Sequence, residues 1–577
     1  MPHHPIKKRI VRRTLNATDG TGLSHLAPLL QRIYQNRQLT HPDELDRSLA
    51  KLPSPWLLSG MEDMVAHLRE AIEKNQRILV IADFDADGAT SCAVAVTGLR
   101  LLGARKVEYL VPNRFEYGYG LTPEIVQVAA KNAPDVLITV DNGISSVEGV
   151  KAAHEHGIKV LITDHHLPGP ELPEADATVN PNVPGDAFPS KALAGVGVMF
   201  YVLMALRMRL RETDWFARHG VGEPNLGQLL DWLALGTVAD VVALDQVNRI
   251  LVHQGIQRIR AGQAHPGITA LLEVAGRNHK NVTATDLGFS VAPRLNAAGR
   301  LEDMSLGIEC LLAEDEITAR TLASRLDNLN RERKEIEDQM KLDALALLDK
   351  QTLDTDRAGV CLFDRSWHQG VIGILASRIK DRLHRPVIAF APGSEGEIKG
   401  SARSIAGVHI RDVLSDIAAN HPGLLIRFGG HAMAAGLSLA EANFPRFAAL
   451  FDQEVSKHLE DLDLEHTVHS DGELKSEEMH LQVAELLQQA GPWGQGFPEP
   501  LFDGVFEVLQ CRIVGQRHLK WVLQTPGRNH HIDGIAFFVD RPEDWLGCRS
   551  LKAAYRLDIN EYRDHRSVQL RIEYMES

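Results

Sequence analysis

Asp83 and Asp85 in RILVIADFDADGATS, Asp141 in DVLITVDNGISS, and His165 with His166 in IKVLITDHHLPG are the residues best suited to chemistry. Carboxylates and imidazoles gathered without cysteine suit hard or borderline divalent ions, with Mg²⁺ and Mn²⁺ ahead of Zn²⁺. Each motif has an ordinary role when taken alone. A DxD after a strand serves as a turn or a helix N-cap, and a His pair is often a satisfied core pair. Capping does not account for all three, and together they point to a metal site.

The elements that must position these residues follow from the runs before them. Each run is short and rich in β-branched residues, ends in Asp or His, then passes through Gly into a helical pattern. Parallel α/β sheets are built this way, and they present ligands beyond the carboxyl ends of their strands. From about 62 to 290 strands and helices alternate in the βαβ manner. ATSCAVAVTGLRLLG predicts a helix packed on the sheet; Asp87, just before it, reads as a cap or a supporting residue. LGQLLDWLALGTVADVVAL predicts an apolar helix ending at Asp240, whose charge is costly there unless it is paired.

From about 313 to 350 Leu322, Leu326, Leu329, Ile336, Met340, Ala344 and Leu347 recur at helical spacing, with Arg333 in the stripe. A long connecting helix between two α/β units implies a cleft. The second unit starts at AGVCLFD and runs to about 457. It contains a small-residue helix start after His368 and Gly370, and Gly-rich turns in GSARS and GGHAMAAG that could set backbone N–H groups against phosphate. Beyond about 458 five short alternating strands predict a small barrel or sandwich. His518, Lys520 and Trp521 there make either a base-stacking face or, for Trp521, barrel core.

A chain of 577 residues predicts several domains, and 44% hydrophobic with 24% charged residues is ordinary for packed cores. The net charge of -14 is a weak argument against a nucleic-acid partner. Basic residues are grouped at Arg294, Arg300, Arg325, Arg331, Arg333, Lys334, Lys399 and Arg403, although a solvated helix face accounts for some of them equally well. No run approaches the roughly 18 apolar residues of a membrane helix, and MPHHPIKKRIVRRT lacks an apolar signal region, so a cytoplasmic protein without membrane contact is expected. Five cysteines with no CxxC pair argue against disulfides and thiolate zinc.

DFDADG, VDNG, DHH and GTVAD together resemble the four motifs of the DHH phosphoesterase superfamily. PNRFEYGYGL, APRLNAAGRLEDM, WHQGVIGILASR, GSARS and GGHAMAAG extend the likeness to its bacterial single-strand-specific exonucleases. The resemblance implies an α/β fold with a parallel-sheet DHH domain and a DHHA1 domain joined by a long helix, plus an OB-like β domain. The expected division is an N-terminal wrapping segment 1–60, DHH 61–312, linking helix 313–352, DHHA1 353–457 and OB-like 458–577. It implies two Mn²⁺ or Mg²⁺ ions held by Asp83, Asp85, Asp141, His165 and Asp240, with Asp141 bridging, Asp164 orienting a histidine, and His166 and Arg300 steadying phosphate charge. The superfamily's first motif often carries a histidine; Ala82 precedes Asp83 here and none is near. Substrate contacts are expected from Arg114, Arg294, Asn296, Ser401, Arg403 and His431, the DHHA1 turns facing the metal site across the cleft. The implied activity is 5′ to 3′ degradation of single-stranded DNA in recombination and repair, by a monomer working with single-strand-binding protein and a RecQ-type helicase. Rival readings are a small-nucleotide phosphodiesterase, whose relatives usually lack the strand-rich C-terminal domain, and a non-catalytic scaffold, which would have lost ligands kept here.

Overall fold

The computed structural model describes residues 9–13, 22–113, 120–350, 357–394, 396–459, 467–525, 531–562 and 565–576. They divide into a larger compact unit, Arg9–Gly299 with Asp303–Asp327 and Thr467–Ser577, and a smaller one, Arg300–Glu302 with Asn328–His466.

Unbroken Val, Ile and Leu runs give strands that bury both faces, and the central sheet of the larger unit consists of them. Its strands are β1 (Arg77–Ala82), β2 (Lys106–Leu110), β3 (Val136–Val140), β4 (Lys159–Thr163) and β5 (Ala177–Val179), all parallel in the order β2-β1-β3-β4-β5. Ala82 lies opposite Val140, and Val140 opposite Thr163, so the residues after these three emerge side by side. The chain runs from β1 to β2 on one side and places β3 on the other. That reversal opens a crevice at the carboxyl ends of β1 and β3.

Four helices close over this edge. α1 (Ala86–Leu101) is buried along most of its length, as its small apolar residues require. α2 (Gly195–Glu212) and the apolar α3 (Leu230–Ala239) pack on α1. α3 comes so close that a Cβ on Gly236 would stand 2.2 Å from Thr90 Oγ1. α4 (Gln246–Arg260) packs on α3. α5 (Ala292–Leu301) and the 35-residue α6 (Glu316–Lys350) follow; α6 belongs to the larger unit up to Asp327 and to the smaller from Asn328. Its predicted stripe is inward, and Arg333 is tolerated there because Glu337 and Asn330 each accept from its guanidinium at 2.6 Å.

The smaller unit has β6 (Val360–Phe363), α7 (Ile372–Leu383), β7 (Val387–Pro392), β8 (Glu397–Arg403), β9 (Arg427–Gly430) and β10 (Ala434–Ala440), with sheet order β9-β10-β8-β7-β6. Phe390, Phe447 and Phe451 fill one of its cores; Trp367, Leu375 and Met340 belong to another.

The C-terminal strands close into a barrel, which is what the OB-like expectation requires. It is formed by β11 (Phe502–Val514), β12 (His518–Gln524), β13 (His531–Ala536), β14 (Ser550–Tyr562) and β15 (His565–Glu576), in the order β11-β12-β13-β15-β14. The barrel belongs to the larger unit, preceded by α8 (Leu481–Ala490). An N-terminal strand, Arg9–Arg12, pairs in parallel with Thr467–Ser470 just before it. Arg37 donates to Asp471 and to the Pro498 carbonyl, and its guanidinium lies 5.0 Å from the Trp493 ring centroid. No described helix is long and apolar enough to cross a membrane.

Candidate metal centre

Asp83 and Asp85 follow β1, Asp141 follows β3, and Asp164, His165 and His166 follow β4, so the aligned strand ends deliver all six to one edge. Ligand atoms of Asp83, Asp85 and Asp141 lie within 4.8 Å of one another; those of Asp141, His165 and His166, and those of Asp87, His165 and Asp240, do likewise. Asp141 and His165 each belong to two of these groups. His165 Nε2 stands 3.1 Å from Asp141 Oδ1 and 3.5 Å from Asp240 Oδ2.

Local structure shows how each side chain is aimed. Asp85 is the N-cap of α1 and accepts from Gly88 N at 3.0 Å, so one carboxylate both caps the helix and stands in the acidic group. Asp141 sits at φ +62°, a left-handed conformation uncommon for a non-glycine residue and costly outside a constrained site. Asp240 is the C-cap of α3, where the helix dipole is negative and disfavours a carboxylate. Val241 after it is also left-handed, at φ +63°, and a β-branched residue there is strained.

Electrostatics give the fit test for a cation. Burial, and then the charges of Asp87 and Asp85, hold the Asp141 and Asp240 carboxyls well above the usual carboxylate range. Asp87 is pushed up to about 7, by burial first and the Asp85 charge second. Buried carboxylates crowded mainly against one another are what a divalent cation would relieve. The donor set of carboxylate oxygens with imidazole nitrogen matches Mn²⁺ or Mg²⁺.

Supporting residues complete the site. Asp164 accepts from the N–H groups of Ile144 (2.9 Å), His165 (2.7 Å) and His166 (3.1 Å), and its Oδ1 lies 2.7 Å from His166 Nδ1. It therefore orients a histidine as expected, and that histidine is His166. Burial works against charge on His166, but Asp164 outweighs it and raises the imidazole to about 9. Asp87 does not cap its own helix. It accepts from Gly195 N at 2.7 Å and Val196 N at 3.0 Å, anchoring the start of α2. Asn180 and Asn182, which sequence reading passed over, donate to the carbonyls of His166 (2.9 Å) and His165 (2.6 Å). The signal was present in ATVNPN, a polar pair at the end of an apolar strand.

The remaining expected site residues separate. Arg294 pairs with Asp327 at 2.8 Å and donates to carbonyls of Ser290 and Val274. Asn296 Oδ1 accepts from Ala86 N at 2.9 Å and so caps α1. Arg300 belongs to the smaller unit, where it donates to the Gly370 carbonyl at 3.1 Å. There Ser401 and Arg403 share one face of β8, joined by a 3.0 Å hydrogen bond. A Cβ on Gly373 near the start of α7 would lie 2.9 Å from the Arg403 guanidinium and 3.0 Å from Ser401 Oγ. His431 is exposed in the β9–β10 turn. Arg114 lies outside the described residues. Trp521 is barrel core with no exposed surface, which removes it from the expected base-stacking face. Lys520 pairs with Asp533 at 3.1 Å, and His518 packs edge-on against Phe537 and Phe538.

Comparison with known proteins agrees with this architecture. The family model "DHH family, N-terminal domain" matches residues 77–237, "DHHA1 domain" matches 356–457, and "RecJ OB domain" matches 470–574. The single-stranded-DNA-specific exonuclease RecJ of Dickeya dadantii is 56% identical over 95% of this chain and 96% of that protein. The protein of the same name from Escherichia coli is 53% identical over 98% of this chain and 99% of its own length. The crystal structure of RecJ in complex with Mn²⁺ from Thermus thermophilus matches with a TM-score of 0.81 and 31% identity, covering 99% of this chain and 79% of that one. With full-length relatives above half identity and the three domain models in sequence order, the chain belongs to the RecJ family of DHH-domain proteins.

Proposed function

We propose that the chain is a metal-dependent exonuclease that degrades single-stranded DNA from the 5′ end to 5′-mononucleotides, acting in recombination and repair. The observation that carries this reading is the convergence of Asp83, Asp85, Asp141, His165 and Asp240 at the strand ends of β1, β3 and β4 and the end of α3. These five residues would hold two Mn²⁺ or Mg²⁺ ions, with Asp141, common to two ligand groups, as the shared carboxylate. When bound, such ions make a water more acidic and offset charge on the reacting phosphate. His166, charged beside Asp164, presents an N–H donor to a phosphate oxygen. In the smaller unit Arg300, Ser401, Arg403 and His431 are proposed to bind DNA phosphate. Arginine pairs with phosphate oxygens in a bidentate fork, and the start of α7 adds N–H groups and a favourable dipole.

Relatives named for single-stranded-DNA-specific exonuclease activity, and a structural neighbour crystallised with Mn²⁺, support the reading. Single-strand-binding protein and a RecQ-type helicase as partners, a monomeric state and a cytoplasmic location are proposals resting on family likeness; light scattering and co-sedimentation test the mass and the partners. The deciding experiment is Mn²⁺-dependent digestion of 5′- and 3′-labelled single strands and blunt duplex. Early release of labelled mononucleotide from the 5′ end of single strands is expected. Equal rates on duplex would sink the strand specificity. A strong preference for dinucleotides would favour the small-nucleotide phosphodiesterase, and no cleavage with either metal would leave a scaffold.

A further inference from the structure

Away from the metal centre, the larger unit has a half-open cavity of about 820 Å³, lined by Arg47, α4, residues 276–286, α8 and the strands β14 and β15. Its size falls in the range of roughly 300–1,000 Å³ typical of small-ligand sites. Its charge is unevenly compensated. The acids on its wall are already engaged: Glu499 with Arg556 and Arg571, Asp558 with Arg571, and Glu561 with Arg566 and Asn281. Asp286 accepts from Thr283 and faces Arg277 at 3.3 Å. Arg47 and Arg260 have no carboxylate within ion-pair distance among the described residues. Arg47 donates only to the carbonyls of Gln489 and Gly491, and Arg260 only through Nε to the Val282 carbonyl at 2.9 Å, which leaves its two terminal nitrogens for a ligand.

His253, about two helical turns before Arg260 on α4, senses the field these guanidiniums make. Burial first, and then the positive charges of Arg47 and Arg260, hold its imidazole down at about 4. Burial likewise lowers Arg260, and the charge of Asp286, beyond ion-pair distance, offsets this only in part. A charged group in that state strongly favours an anion that can accept several N–H donors. A tetrahedral phosphate oxyanion suits two guanidiniums that line one cavity, and Asn278 and Gln257 on its lining add amide donors.

We propose that this cavity is a phosphate-binding site separate from the metal centre, in which Arg47 and Arg260 grip one phosphate group of a nucleotide. That phosphate comes either from the backbone of a single strand or from a free mononucleotide; the shared chemistry is the phosphate monoester or diester. The site stands apart from the exonuclease reading, because its residues take no part in the centre at β1, β3 and β4.

The test measures binding in EDTA, where metal-dependent cleavage is silent. Full-length wild type, Arg47→Gln/Arg260→Gln and a charge-matched control, Arg211→Gln/Arg320→Gln, are titrated with deoxyadenosine monophosphate and with labelled strands of 6 to about 30 nucleotides, and thermal melts check folding. The proposal expects the first variant to bind at least one probe roughly tenfold more weakly than the control, the loss expected of charged hydrogen bonds. If the strand is the source, the slope of log affinity against log salt flattens by about 0.7 for each phosphate no longer neutralised, while monophosphate binding is unchanged. If the free nucleotide is the source, monophosphate binding falls instead. Equal affinity of both variants for both probes, with intact melts, overturns the site. Should the double variant fail to fold, Arg260→Lys against Arg260→Gln decides: rescue by Lys supports a charge contact, and equal binding by the two overturns it. Failure of the exonuclease reading would show separately, as wild type that binds strands yet does not cut them with Mn²⁺.

Discussion

Asp164 gathers three backbone N–H groups and one imidazole, and none of these contacts reaches a substrate. Groups that orient ligands in this way typically cost roughly 10–100-fold in metal affinity or activity when changed. Asp164→Asn turns one acceptor into a donor aimed at donors, so the loop carrying His165 and His166 should loosen. We expect a drop of that size in Mn²⁺ affinity by calorimetry and in nuclease rate; values within threefold of wild type would remove Asp164 from the positioning role. The cluster of carboxylates was legible because a carboxylate at the end of an apolar run is expensive to keep unless a cation or several donors meet it. The contacts of Arg294, Asn296 and Trp521 were not. The first two look available by residue type, but their partners, Asp327 and the Ala86 N–H, come from other elements. Trp521 alternates on a strand like its neighbours, and only barrel closure decides which face is inside.

At the scale of elements, the β-branched runs and the helix ending at Asp240 made the parallel sheet and its site edge readable. The docking of α2 was hidden, because Asp87 holds the start of a helix more than a hundred residues away. Gly195 shows how tight that docking is. A Cβ there would lie 2.5 Å from Asp141 Oδ1 and 2.6 Å from Asp141 Cβ. Helix propensity alone favours alanine by about 1 kcal/mol. The close approach opposes it and should win, since either α2 or Asp141 must move. We expect Gly195→Ala to lower the melting temperature and to slow the nuclease on the order of 10²-fold, the scale of an ångström-level misplacement. A higher melting temperature with normal activity would show that the site edge is softer than its packing indicates.

Across the whole molecule, barrel and parallel sheet share one compact unit, and the N-terminal strand joins the segment leading into the barrel. No local periodicity could announce that pairing. Arg12 secures it by two donors to Asp503, at 3.0 and 2.7 Å. Burial would raise the Asp503 carboxyl, but Arg12 and the Ser470 hydroxyl hold it below the usual range. A depressed carboxylate contributes stability above its unfolded value of about 3.9, and loses it as pH falls through the folded value. Arg12 is largely solvent-facing, so the contribution is about 1 kcal/mol or less. The stability difference between wild type and Arg12→Ala in urea should therefore be full at pH 7 and shrink progressively as pH falls below about 3.9; a constant difference would assign the effect to strand pairing alone.

The same strand carries a consequence for the order of events during synthesis. Arg12 and Asp503 are 491 residues apart. At roughly 5–20 residues per second, the ribosome needs about half a minute or more to deliver the second after the first. Throughout that interval the first strand has no edge to join, while the parallel sheet, whose last strand ends at Val179, is free to fold for most of it. Closure of the N-terminal strand is therefore one of the last steps of biogenesis, and a newly made chain stalled before residue 467 keeps an unpaired edge exposed to other chains.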